Sequence, residues 1–263
     1  MAIATETIRT GPLTSRLRIG MGTFIAVEAE ADAQSMRLSG IDAAFAVIDR
    51  VSLLMHPSRT GSDLSAIHRA RPGTAVSVHP WTWEVLELSK RLNRASRGVF
   101  DPCLPDAAGR IADLECTTAH RVIAHAPLHI DLGGIAKGYA VDRALVAMRA
   151  AGCDGGLVNA GGDLGVFGTR SHRIVCDRRT VIHLRNAALA SSAVSAAAPP
   201  PEHRGYYHGV DRLAVRSGKI TVSAADAAVA DALATCLLAA HGDVDTALLD
   251  TFGARLIARE LQP

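Results

Sequence analysis

Aromatic residues are scarce in this chain: five Phe, three Tyr and two Trp make up 4% of its 263 residues. Ala, Val, Leu and Ile must therefore fill the core, and a hydrophobic content of 48% is ordinary for a globular protein. Charge of one sign is lacking as well. Twenty-eight Lys and Arg against 26 Asp and Glu leave a net +2, which gives no global pull toward nucleic acid or a membrane surface. Cysteine is sparse: Cys103, Cys116, Cys153, Cys176 and Cys236 are odd in number and form no CxxC pair. That pattern predicts reduced, mostly buried thiols and a reducing compartment. The 11 histidines are scattered along the chain. No apolar run reaches the length of a membrane span, and the longest, Ala227–Ala240, is broken by Asp231 and Thr235. The opening segment has neither an apolar signal-peptide core nor a lipobox cysteine, so a cytoplasmic location is expected. The fingerprint G-x-G-x-x-G is absent, which argues against hydride chemistry on a dinucleotide.

Punctuation and periodicity divide what is present. Residues 1–15 read as a flexible lead-in, followed by a single domain over 16–263. Leu17 to Ala29 alternates and predicts a strand. Asp32 to Leu54 carries apolar residues at helical period. Ser62 is placed to cap a short helix beginning Ser-Asp-Leu-Ser. Pro80 to Ser96 predicts a second amphipathic helix, followed by Gly98, and Ile135 to Ala151 a third, ended by Gly152. Gly109 to His129 reads as irregular with short β pieces. Leu157 to Asn159 is a buried strand, and Arg173 to Ser192 reads as two strands, VCDRRTVIHL and AALASS. Ala196 to His203, with three prolines, is a surface loop. Lys219–Ser223, Ala227–His241 and Leu256–Ala258 close the chain as strand, helix and strand. Helices and strands mix without strict alternation, so the expected class is α+β.

Chemistry concentrates at the glycine turns. In Asp131-Leu-Gly-Gly-Ile-Ala-Lys137, a carboxylate and a lysine flank a turn that opens a helix, an arrangement suited to an anionic ligand such as a nucleotide. Asn159-Ala-Gly-Gly-Asp163 repeats the device after the next strand, which suggests a shared crevice. Asp231 and Thr235 fall on one face of an otherwise apolar helix. They are either a buried carboxylate bonded to a neighbouring loop beside a hydroxyl bonded to its own helix, or hard oxygen ligands for Mg²⁺ or Ca²⁺. Phe100-Asp101-Pro102 reads as a turn. Tyr206-Tyr207-His208 is where histidine and tyrosine cluster, and a histidine can serve as a general base.

Taken in order, Met21-Gly22-Thr23, Ser62-Asp63-Leu64-Ser65, Phe100-Asp101-Pro102, the Asp131–Asp142 segment, Val158–Asp163 and Asp231–Thr235 resemble the ApbE family of Mg²⁺-dependent FAD:protein FMN transferases. The resemblance implies an α+β, T-fold-like single domain with mixed or antiparallel sheets and packed helices, binding FAD beside a metal. It implies that Met21, Met55, His56, Phe100, Asp101, Asp131 and Lys137 contact FAD. The carbonyl of Gly134, with Asp231 and Thr235, would hold Mg²⁺. His208 would be the base, with Asp231 as its catalytic companion. The implied reaction moves FMN from FAD to a Ser or Thr hydroxyl of an acceptor flavoprotein and releases AMP. The alternatives are an FAD pyrophosphatase, with water as acceptor, and a non-catalytic FAD-binding protein. Departures from the family pattern include Cys103 for threonine after Asp-Pro, and His68 for asparagine at the end of the Ser-Asp-Leu-Ser helix. Ser191-Ser192 stands for Thr-Ser-Gly, and no proline follows His208-Gly-Val-Asp211.

Overall fold

The structure is a computed structural model that describes residues 12–177, 179–194, 217–240 and 246–261. Residues 1–11 of the expected lead-in, the proline-rich stretch and Tyr206-Tyr207-His208 lie outside the described residues.

The chain opens with a hairpin. β1 (Leu13–Gly20) and β2 (Thr23–Glu30) pair antiparallel with Gly20 opposite Thr23. The two turn residues, Met21 and Gly22, both have positive φ, 49° and 73°. This is the turn geometry whose twist matches that of paired strands. The expected single strand over Leu17–Ala29 is therefore a hairpin, and β1 begins inside the segment expected to be flexible. Methionine hides the signal, because such turns are usually marked by Asn-Gly or Asp-Gly.

α1 (Gln34–Leu54) buries Ile41, Ala44, Phe45, Ile48, Val51 and Leu54, the face its periodicity predicts. α2 (Asp63–Arg69) is capped as expected, with the Ser62 side chain accepting from the Ser65 amide. β3 (Ala75–Ser77), α3 (Pro80–Ala95), β4 (Leu114–Thr117) and β5 (Arg121–Ala124) follow. The three strands form a small antiparallel sheet in the order β3-β5-β4, and α3 packs against β4. α4 (Ala136–Ala150) leads into β6 (Gly155–Ala160) and, across the Gly161-Gly162 turn, β7 (Asp163–Phe167). β7 was not expected from the sequence. β8 (His172–Val175) and β9 (Val181–Leu184) form a hairpin where a single strand was expected. Its turn is set by Asp177, whose carboxylate accepts from the amides of Arg179 and Thr180. β10 (Ala187–Val194), β11 (Gly218–Ala224), α5 (Ala227–Ala239), the short unanticipated α6 (Thr246–Thr251) and β12 (Arg255–Leu261) complete the chain.

Seven strands make one antiparallel sheet in the order β1-β2-β6-β7-β10-β11-β12. α1, α4 and α5 pack together on one face, where α4 meets β6 and β7 and α5 meets β10 and β11. The opposite face carries a smaller apolar cluster of Leu157, Leu164, Val166, Ile174, Leu184 and Leu189 under the β8–β9 hairpin. The class is α+β, as expected, with every described strand pairing antiparallel.

Two features fix α4 against α5, and both matter for the site. Gly138 lies where α4 presses on the start of α5, and a Cβ there would overlap the backbone of Ala227 and Ala228. Asp142, one turn further on, accepts from the amides of Ala227 at 2.7 Å and Ala228 at 2.9 Å. A side chain of α4 thus satisfies the open amides at the head of α5, work its own N-cap residue Asp226 does not do.

Candidate functional site

The Asp131 turn is held from two sides. The chain from Pro102 to Leu104 runs antiparallel to His129–Asp131, with Leu104 N–H donating to the His129 carbonyl and Asp131 N–H to the Pro102 carbonyl, both at 2.8 Å. The Asp131 carboxylate then accepts from the Gly133 amide at 2.8 Å, which turns the chain toward α4. Lys137, in the first turn of that helix, swings back and donates to the Gly133 carbonyl and to Asp163 Oδ2, the latter at 2.5 Å. Its ammonium is also 3.5 Å from Asp231 Oδ2.

This places two deeply buried carboxylates around one ammonium: the Asp163 side chain is 3% exposed, that of Asp231 2% and that of Lys137 28%. Asp231 also accepts from the Gly138 amide, and Asp163 from the backbone of Ser191. Burial raises both carboxyls above the usual range, and each is drawn back down by Lys137, while Asp163 pushes Asp231 further up. With both acids ionised, the cluster carries one positive charge too few. A further cation beside Asp231 would relieve that imbalance.

One helical turn beyond Asp231, Thr235 presents its hydroxyl to Ser192 Oγ at 3.1 Å and its side chain to Gly134. A Cβ at Gly134 would lie 2.9 Å from Thr235 Cγ2 and 3.1 Å from its Oγ1. The bare backbone of the Asp131 turn therefore rests directly on the threonine. Among the described residues no three His, Cys, Asp or Glu side chains gather as a metal site. The oxygens here are a carboxylate, a hydroxyl and a closely packed backbone turn, with no nitrogen or sulfur donor. This donor set fits a hard cation such as Mg²⁺ and would suit zinc poorly.

A cleft with about 430 Å³ of open space, solvent at its mouth included, opens above this cluster, between Phe100, Asp101 and Pro102 on one wall, Asp131, Gly134 and Ile135 on another, and Thr235, Cys236 and Ala239 on α5. The Phe100 wall is braced from α3, where Asn93 donates to the Phe100 carbonyl and Ser96 Oγ accepts from its amide. Asp101 Oδ1 accepts from the amides of Cys103 and Ile111, while Oδ2 is buried without a hydrogen bond, 3.8 Å from Arg110.

Of the residues named from the sequence, the structure brings Phe100, Asp101, Asp131, Gly134 and Thr235 to one cleft, while Lys137 and Asp231, 3.5 Å apart, are outside its lining. Met21 sits apart from the cleft lining, half-buried in the first hairpin turn; the neighbouring Thr23 touches the Gly161 turn. Met55 is 4% exposed and belongs to the core, whereas His56 faces solvent. His208 lies outside the described residues. Sequence reasoning missed the pairing of Asp163 with Lys137, the capping of α5 by Asp142 and the contact of Ser192 with Thr235. The Gly-Gly-Asp of the second turn was the available signal for Asp163.

The profile of the ApbE family matches residues 21–256. A comparison with curated protein sequences found no match. Among solved structures, the apo flavinyl transferase ApbE of Pseudomonas stutzeri is similar at 18% identity, over 95% of this chain and 92% of that one, with a TM-score of 0.77. The ApbE protein of Thermotoga maritima is 20% identical over 95% and 97% of the two chains, with a TM-score of 0.78. The flavin transferase ApbE of Vibrio cholerae is 18% identical over 94% and 93%, with a TM-score of 0.75. At these identities the likeness establishes the fold.

Proposed function

This chain belongs to the ApbE family, and from that premise we propose that it is a flavin transferase that moves FMN from FAD to a Ser or Thr hydroxyl of an acceptor protein, with Mg²⁺ and with release of AMP. The observation that carries the reading is the buried Asp163–Lys137–Asp231 cluster beside Thr235 and Gly134, which line a cleft together with Phe100, Asp101 and Asp131. Several residue roles follow.

Cleaving the pyrophosphate of FAD builds charge on the phosphate oxygens. The Lys137 ammonium, held in place by Asp163, donates toward that charge without having to be recruited from solvent. Asp231, Thr235 and the Gly134 carbonyl would hold Mg²⁺, which when bound neutralises phosphate charge as a Lewis acid. The Asp131 turn and the Phe100–Asp101 wall give the nucleotide an apolar surface and polar groups to orient it. The acceptor hydroxyl needs a base within hydrogen-bond reach, the role proposed for His208.

The test is incubation with FAD, Mg²⁺ and the unflavinylated form of a domain that naturally carries threonine-linked FMN. In-gel flavin fluorescence after denaturation, with the mass gain of one FMN, is expected. AMP and free FMN appearing without any labelled acceptor would instead identify a pyrophosphatase. Intact FAD retained with Mg²⁺ present would identify a binder.

A further inference from the structure

Ile130 is fully buried, and its carbonyl and amide neighbours are spoken for. The bonds on either side of it run to Pro102 and Leu104, which leaves its own N–H pointing away from that strand. A buried amide needs an acceptor, and this one finds it in a side chain from a distant element: Ile130 N–H donates to His68 Nε2 at 2.9 Å. Because Nε2 accepts, the proton of the neutral ring sits on Nδ1. The same imidazole also bonds to the backbone of Pro57, and a proline offers only its carbonyl there. One ring therefore accepts from the strand that delivers Asp131 and donates to the loop that follows Met55 and His56. His68 can do this because α2 is itself fixed. Asp63, at its first position, accepts from the His79 amide at 2.9 Å and from Thr82 Oγ1 at 2.5 Å at the head of α3.

We infer that His68 is a positioning residue: its neutral imidazole pins the Asp131 turn to the Met55–Pro57 corner, so that acidification releases the turn and weakens nucleotide binding. The chemistry is one of inventory. An imidazolium has two donors and no acceptor, so a protonated His68 cannot take the Ile130 N–H and leaves a buried amide without a partner. The groups facing the ring are His129, whose ring centroid is 5.2 Å away, and the Asp131 carboxylate. Asp106 lies behind His129, bonded to its Nδ1 at 2.6 Å. Burial, then His129, holds the His68 pKa below 6.5, while the backbone contact to Pro57 and the Asp131 carboxylate partly offset this. The ring is neutral at pH 7 and charges as the solution turns acid.

The consequence for flavin rests on the function proposed above; the staple itself does not. Two variants separate the roles. His68→Asn keeps one acceptor and one donor but does not titrate, and His68→Leu keeps bulk but neither bond. FAD affinity, from quenching of flavin fluorescence with Mg²⁺ present, is measured from about pH 8 to about pH 5 beside amide hydrogen exchange at Ile130. Wild type is expected to lose about tenfold in affinity on acidification, His68→Asn to bind as wild type at pH 8 with that acid loss removed, and His68→Leu to be about tenfold weaker already at pH 8. Ile130 should be protected in wild type and His68→Asn and unprotected in His68→Leu. The inference is overturned if His68→Asn keeps the wild-type acid limb, or if His68→Leu leaves both affinity and Ile130 protection unchanged. If wild type binds no FAD at any pH, the functional reading fails, and exchange at Ile130 alone then decides: loss of protection in His68→Leu, and in wild type on acidification, supports the staple, and unchanged protection refutes it.

Discussion

Replacing Lys137 with methionine keeps the length of the side chain and removes its charge. In the native protein the ammonium lies 2.5 Å from Asp163 Oδ2 and 3.5 Å from Asp231 Oδ2. Its loss leaves two acids buried together with backbone amides as their remaining named partners. Breaking a buried ion pair from one side costs about 3–5 kcal/mol, and a single pair of charges about 4 Å apart at an effective dielectric of about 20 gives roughly 4 kcal/mol. Because 28% of the Lys137 side chain is exposed, solvent screens part of this, and about 3 kcal/mol is expected. Equilibrium urea unfolding at pH 8 in EDTA, which keeps a divalent ion from standing in for the lysine, reads the change as a shift in midpoint at constant slope. Lys137→Met combined with Asp163→Asn removes one carboxylate along with the ammonium and should recover roughly half of the loss, about 1.5 kcal/mol. A loss of less than about 1 kcal/mol in the single variant, or a double variant no more stable than the single, would refute the account of a charge cluster organised by Lys137.

Other consequences are independent of that one. Gly134→Ala places a methyl group 2.9 Å from Thr235 Cγ2, so Mg²⁺ affinity by titration calorimetry should fall by at least about tenfold, and adding Thr235→Ser, which deletes that methyl, should restore most of it. His172 is 1% exposed, and burial, with Arg170 beside it, holds its imidazole down at about 4. The ring stays neutral in the fold but charges in the unfolded chain below its ordinary 6.5. Its contribution is therefore complete above that pH and is lost as the solution falls through about 4, worth roughly 3 kcal/mol by pH 4. Urea midpoints across this range should fall less steeply in His172→Gln than in wild type, and parallel curves would refute the assignment. His208→Ala should lower the turnover of FMN transfer by about a hundredfold with little change in FAD affinity, the pattern of a lost base.

The parts of the fold written in local chemistry were legible. Ser62 caps α2, Pro80 opens α3, Gly152 follows α4, and the buried face of α1 matches its period. Turns whose residues conceal their geometry were not: Met21 occupies a positive-φ position without the usual asparagine. Asp177 did offer a signal, since a short acidic side chain that bonds two amides ahead breaks a strand into a hairpin. The five-residue β7 was hidden because a short apolar run after a glycine turn has no period to display. The site shows the same division. The residue types and spacings of Asp131, Lys137, Asp231 and Thr235 announced oxygen and ammonium chemistry. The partners came only from the fold: that Lys137 reaches Asp163, that Gly134 lies on Thr235, and that His68 reaches Ile130 are contacts between elements far apart in the chain.

The most direct test of the central claim is AMP release from FAD in the presence of a threonine-bearing acceptor domain, followed by chromatography for wild type, wild type with EDTA, and Asp231→Ala. The account predicts one AMP for each FMN attached to the acceptor, with both products lost in EDTA and in Asp231→Ala. AMP and labelled acceptor formed equally well in EDTA, or undiminished in Asp231→Ala, would contradict it.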